Sequence, residues 1–247
     1  MTEAGEPRGT LGTVRNAVLL LDLLTDGPAY QHLTGLAERS GLSVPTVHRL
    51  LRSLVLADLV EQDPRTSRYS LGPEVARLSQ RYLGRLPILG ALSPYLVSLR
   101  DTVRATVHVA VLVRQSVVYV DRVDAGDGGP YRDSHRVLEA LSTASGRLLA
   151  ARAPDDVWQR CLGTGASLLE GSADELRARW ATAPYLLSPD RDGIDGEVAV
   201  PVTDASGALL AALAASVGPL VDVAEAEQVA AHLARAATAA GRTLSSA

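Results

Sequence analysis

Apolar positions at helical spacing open the chain. Val14, Ala17, Val18, Leu21 and Leu24 fall on one face of a helix that begins near Thr13 and stops at Gly27-Pro28. After a loop over residues 28–32, a second helix runs from Leu33 to Ser40, and Gly41 supplies the turn into a third. Small Ala37 lets the two helices approach closely, and Ser43 stands where a hydroxyl can cap the next helix. Pro45 falls in its first turn, where a missing N–H costs nothing. Val47, Leu50, Leu51 and Leu54 give this third helix an inward face. The period then changes to two. Leu59-Val60-Glu61-Gln62 and Tyr69-Ser70-Leu71 flank a turn-rich tip, Asp63 to Arg68, which predicts a β-hairpin.

A further helix is predicted over Pro73–Arg85, with Val75, Leu78 and Leu83 set among arginines, and another over about 87–104 that buries Leu89, Leu92, Leu96 and Leu99. Strands follow at Thr106–Val113 and Ser116–Val123 around an Arg114-Gln115 turn, then a Gly-rich loop over Asp124–Pro130. Helices near 146–163 and 172–182, strands at 197–203 and 208–216, and a closing helix over about 222–243 complete the chain. Helices before and after two hairpins predict an α+β unit, an antiparallel sheet with helices packed on it.

A chain of 247 residues with 47% hydrophobic composition can bury two modest cores. No apolar run reaches membrane-spanning length, and Glu3 and Glu6 interrupt any leader pattern, so a cytoplasmic location without membrane contact is expected. The lone Cys161 reads as a small buried hydrophobe, and without a Cys/His cluster no metal and no cofactor are expected. The formal charge of −4 is unevenly spread: residues 1–86 hold 10 Arg against 9 Asp/Glu, leaving 14 against 19 in residues 87–247. The acidity therefore belongs to the second half and leaves a nucleic-acid partner open for the first.

The polar face of the third helix carries the candidate chemistry. Ser43, Val44, Pro45 and Thr46 start it, and His48, Arg49 and Arg52 point away from the apolar stripe, in the half of a recognition helix that enters the major groove. Arg65, Ser67 and Arg68 on the hairpin tip would lie against phosphate. The alternative is a solvated face on a winged-helix module for protein contacts, which binding across a salt series separates from DNA reading. In the second half, Ser142 to Gly146 put small hydroxyls and backbone N–H groups at a helix start, either an anion site or ordinary capping. No Gly-x-Ser-x-Gly elbow, His-Glu-x-x-His, P-loop or dinucleotide fingerprint is present, and His108 lies inside a strand, so no enzymatic role is expected.

The run Ala37 to Leu51, with Tyr69-Ser70-Leu71-Gly72-Pro73-Glu74, resembles the winged helix-turn-helix of the isocitrate lyase regulator (IclR) family of bacterial transcription factors. The likeness continues through Thr106–Leu112, Val118–Val123, Ala144–Ala150 and Ala199–Asp204. After a short Gly/Pro-containing tail at 1–12, the resemblance implies a DNA-binding domain at 13–72, a linker helix at 73–86 and a GAF-like effector domain at 87–247. It also implies homodimers or dimers of dimers on a pseudo-palindromic double-stranded operator, as repressor or activator, controlled by a small organic metabolite. Effector contacts carried over by the resemblance are Thr143, Ala144, Ser145, Gly146, Ser188, Asp190, Glu197 and Ser216. Around Glu197 the chain departs from the family pattern, with Asp-Gly at 192–193 and again at 195–196. An inward Glu197 would disfavour an anionic ligand and favour a cationic or neutral hydroxylated one.

Overall fold

The computed structural model describes residues 10–125, 137–189, 196–217 and 222–244, which divide into two compact units, Met1–Arg85 and Leu86–Ala247. In the first, α1 (Thr10–Thr25), α2 (Leu33–Ser40) and α3 (Val44–Leu56) pack around one core. The hairpin β1 (Val60–Gln62) and β2 (Tyr69–Leu71) closes it, and α4 (Pro73–Leu83) leaves it. Of the tail expected over residues 1–12, residues 1–9 lie outside the described residues and the remainder belongs to α1.

The inward face of α1 differs from the expected one. Leu20 and Leu24, one helical turn apart, are buried, while Val14 is 65% exposed. The run Leu19-Leu20-Leu21 followed by Leu23-Leu24 fits several helical phases, and packing against α2 and α3 selects one of them. Gly41 ends α2 at φ 67°, the left-handed conformation that turns the chain into α3. Gln31 ties the unit together: its side-chain amide donates to Leu23 O at 3.0 Å and Asp26 O at 3.1 Å, while its own oxygen accepts from Arg39 at 2.7 Å. The carbonyls that end α1 are thereby satisfied from the next loop.

The second unit holds α5 (Pro87–Val103), α6 (Ala144–Ala151), α7 (Asp155–Gly165), α8 (Ala173–Thr182) and α9 (Val223–Leu244). Its sheet comprises β3 (Val107–Val113), β4 (Ser116–Val123), β5 (Val137–Glu139), β6 (Leu186–Ser188), β7 (Gly196–Thr203) and β8 (Leu209–Val217). The strands run antiparallel in the order β5-β4-β3-β8-β7-β6. The turn at Arg114, φ 56°, is the expected one, and the Gly-rich loop expected over 124–130 lies from residue 126 onward outside the described residues. In α5 it is Ile88, not Leu89, that joins Leu92, Leu96 and Leu99 in the interior. The helix expected over 146–163 is two helices, because Pro154 keeps its neighbour out of helical geometry and caps the start of α7.

Alternation along the strands gives the sheet two faces. One packs against α5 and α9. On the other, Ala110, Ala199, Ala212 and Ala214 are small enough for α6 to lie directly on the strands, with Leu148, Leu149 and Ala144 against them. Gly146 fits only as glycine, since a Cβ there would stand 2.1 Å from Ala140 O. Beyond α6, Leu141, Trp158, Cys161 and Trp180 form a second cluster. Burial pushes the Cys161 thiol up, in keeping with an inert packed side chain.

Candidate nucleic-acid interface and ligand site

In the first unit the apolar stripe of α3 is turned fully inward: Val47, Leu50, Leu51 and Leu54 are all buried. The helical period then leaves His48, Arg49 and Arg52 exposed on the far face, beside exposed Ser43, Val44 and Pro45, with Thr46 half-buried. Ser43 corrects an expectation. Its hydroxyl caps no backbone N–H and instead pairs with the Thr46 hydroxyl at 2.8 Å. Pro45 has removed one of the donors such a cap would serve.

The hairpin tip is shaped by Asp63. Its carboxylate accepts from the Thr66 hydroxyl at 2.6 Å and from Arg65 N–H at 2.8 Å, and those bonds hold it below the usual carboxylate range. Ser67 takes φ 56°, and Arg65, Ser67 and Arg68 all stand exposed. Arg68 is not independent: its Nε donates to His32 Nε2 at 3.0 Å, joining the hairpin to the residue that precedes α2. At the hairpin base, Glu61 accepts from Tyr30 at 3.1 Å and Ser70 at 2.9 Å.

In the second unit the register sets a polar cluster on the face of the sheet under α6. Glu197 of β7 lies opposite Ser216 of β8 and Ser188 of β6, and Tyr119 of β4 lies opposite Ala110 of β3. Glu197 is 2% exposed. Its Oε2 accepts from Ser145 N–H at 2.7 Å, and its Oε1 accepts from the Tyr119 hydroxyl at 2.9 Å and the Ser145 hydroxyl at 3.2 Å. Burial pushes the Glu197 carboxyl above the usual carboxylate range, against the pull of those donors. Burial and then the adjacent Glu197 raise the Tyr119 phenol as well.

The start of α6 is thus closed from within. Ala144 N–H donates to Ser188 Oγ at 3.1 Å, Gly146 N–H to Thr143 Oγ1 at 3.0 Å, and Arg147 N–H to Thr143 O at 3.0 Å. Ser145 N–H has gone to Glu197. Of the two readings left open for Ser142–Gly146, these bonds are those of a capped helix start, and it carries the protein's own carboxyl on Ser145 N–H. Beside it, His108 Nε2 meets Ser216 Oγ at 2.8 Å, and the imidazole stacks on the Tyr119 ring at 4.6 Å. Thr143, Ala144, Ser145, Gly146, Ser188, Glu197 and Ser216 are brought together, and Asp190 lies outside the described residues.

Sequence reasoning did not select Tyr119, and it set His108 inside its strand without giving it a part in this cluster. His108 is the one polar residue of β3, which was the available signal, whereas Tyr119 shares β4 with Ser116, Asp121 and Arg122 and does not stand out. Among the described residues, no group of His, Cys, Asp and Glu could hold a metal ion, and no helix is long and apolar enough to cross a membrane.

A winged helix-turn-helix unit with an exposed, arginine-bearing second helix, joined in one chain to a GAF-like α+β unit with a buried polar cluster, has the architecture of a bacterial regulator carrying its own sensor. Comparison with known proteins makes that specific. Residues 13–64 match the IclR helix-turn-helix domain and residues 80–168 the bacterial transcriptional regulator IclR C-terminal domain. The glycerol operon regulatory protein of Streptomyces griseus is 31% identical over 186 residues, 68% of this chain and 71% of that one. Its counterpart in Streptomyces coelicolor is 33% identical over 148 residues, which span 58% of this chain and 56% of that regulator. An IclR family regulator from Brucella abortus shares the fold with a TM-score of 0.82 at 22% identity, over 97% of this chain and 95% of its own. The chain belongs to the IclR family.

Proposed function

We propose that this chain is a sequence-specific, DNA-binding transcriptional regulator of the cytoplasm whose hold on its operator is set by a small organic molecule in the second unit. One observation carries the reading. The exposed side of α3 offers His48, Arg49 and Arg52 together, with Arg65 and Arg68 on the adjoining hairpin, while the apolar stripe Val47, Leu50, Leu51 and Leu54 is buried on the opposite side. Arginine on the groove side forks onto guanine, and arginine on the wing holds phosphate. Thr46, Ser43, Val44 and Pro45 are the groove-side contacts of the helix start.

The regulator acts as a homodimer on a pseudo-palindrome, since one recognition helix reads too few base pairs for useful specificity. The α4 helix supports pairing: none of its residues is buried, and Leu78 and Tyr82 are 47% and 55% exposed. The glycerol operons in the names of the two Streptomyces relatives make polyol utilisation genes reasonable targets for the search.

The test is fluorescence anisotropy against the intergenic DNA beside the gene, over a salt series, with wild type and Arg49→Ala. Saturable binding that weakens steeply with salt and loses its sequence preference in the variant is the expected result. Binding no tighter than to random duplex, for that DNA and for fragments selected from the genome, would overturn the reading in favour of a protein-interaction module.

A further inference from the structure

The helix start that could bind an anionic ligand is occupied by the protein itself. Each of the first four N–H groups of α6 has an internal partner, and the one at Ser145 is held by the Glu197 carboxyl. A ligand carboxylate cannot take that position without evicting Glu197, and lodging beside it would put two carboxyls together where water is excluded. A cation fares little better, because three donors already converge on the Glu197 oxygens. What the cluster still presents is neutral and can both donate and accept. Ser216 is its one half-exposed polar member, paired with His108, whose ring lies on Tyr119.

We propose that Glu197 is the resident occupant of the α6 anion site, so that the effector of this regulator is a neutral polyhydroxylated molecule bound along the Ser216–His108–Tyr119 edge. The inference rests on the effector-binding reading above. A hydroxyl group of such a ligand can pair with the half-exposed Ser216 hydroxyl, which His108 holds at 2.8 Å, without burying a charge, which is the condition a sealed cluster of this kind imposes. Glu197 holds Tyr119, the platform under His108, and so acts as a positioning residue.

The experiment is calorimetry and thermal melting of the full chain with glycerol and xylitol as neutral polyols, and with pyruvate, 4-hydroxybenzoate and formate as carboxylates. Wild type, Glu197→Gln and Glu197→Ala are compared. Wild type and Glu197→Gln, in which the site stays filled, are expected to bind a polyol on the order of tenfold or more tighter than any carboxylate. In Glu197→Ala the Ser145 N–H and Tyr119 hydroxyl lose their acceptor, so formate is expected to raise its melting temperature saturably while leaving wild type unmoved. Wild type that binds a carboxylate as tightly as a polyol overturns the proposal and leaves the effector reading standing. Wild type that binds neither class, while formate still rescues Glu197→Ala, removes the effector reading and the ligand class with it. Formate without effect on a folded Glu197→Ala overturns the resident-occupant assignment. Should that variant not fold, the wild-type and Glu197→Gln titrations decide the ligand class.

Discussion

Two helices of this molecule begin with nearly the same residue types and come to opposite ends. The start of α3 reads Ser43-Val44-Pro45-Thr46 and that of α6 reads Thr143-Ala144-Ser145-Gly146. At α3 the two hydroxyls pair with each other and the surrounding surface stays open. At α6 every polar group is buried, and a carboxyl from 52 residues downstream is seated on the backbone. A small hydroxyl near a helix start signals that the N–H groups there need partners; which partner arrives is decided by packing. The open start faces outward beside arginines, and the sealed one has a strand against it.

Backbone space is the largest difference between the two. A Cβ at Gly146 would stand 2.1 Å from Ala140 O, so Gly146→Ala is expected to destabilise the second unit by about 3 kcal/mol, or to abolish its folding. Gly41, before α3, has nothing within 4 Å of such a Cβ and only its φ of 67° to protect. Gly41→Ala should therefore cost only about 1 kcal/mol, in the first unit alone. Urea unfolding followed at Trp158 and Trp180, both in the second unit, with the first unit followed by hydrogen exchange, checks both. Equal losses would mean that the close approach at Gly146 can relax.

The sealed start should also respond to pH where the open one does not. Burial raises the folded-state pKa of Glu197 above its unfolded value. The folded form therefore binds the proton more tightly, and that stabilisation is complete below the unfolded pKa and lost as pH rises through the folded one. As pH rises above the ordinary carboxyl range, the unfolding free energy of wild type in urea is expected to fall, by no more than about 1.4 kcal/mol per pH unit from this group. Glu197→Gln, which cannot titrate, should flatten that slope. A slope unchanged in the variant would place the dependence elsewhere.

These contrasts mark where sequence stops being informative. The inward face of α3 was legible because its apolar residues keep one helical phase and Pro45 fixes its first turn; in α1 the leucine run leaves the phase open, and Val14 faces out. The long strands themselves follow from apolar patterning, whereas β5 and β6, three residues each, are too short to alternate detectably and exist because β4 and β7 offer them an edge. Thr143 to Gly146 were recognisable as a helix start, yet nothing local says that Glu197 and Tyr119, 78 residues apart, meet above it. That contact is a property of strand order and register.

Hydroxyl deletions test the two starts more gently. Thr143 Oγ1 caps Gly146 N–H in a fully buried site, so Thr143→Ala should lower stability by about 1 to 2 kcal/mol. Ser43 caps nothing, and Ser43→Ala should fall within about 0.5 kcal/mol of wild type in the same denaturation experiment. If Ser43→Ala costs as much as Thr143→Ala, its hydroxyl caps α3 in solution after all.

The smallest expected effect separates the two wing arginines. Both are exposed, but Arg68 is steered by the lone pair of His32 Nε2 while Arg65 follows the Asp63 turn through its backbone alone. Each is assigned one phosphate, so Arg65→Ala and Arg68→Ala should each reduce the slope of log affinity against log salt by about 1, with sequence preference unchanged. His32→Ala distinguishes steering from contact. It leaves every arginine in place, so the slope should hold while affinity falls a few-fold, because the Arg68 side chain must then be ordered at the moment of binding. A lower slope in His32→Ala would mean that the imidazole itself touches the backbone of the DNA, which would make the residue before α2 part of the interface alongside the wing.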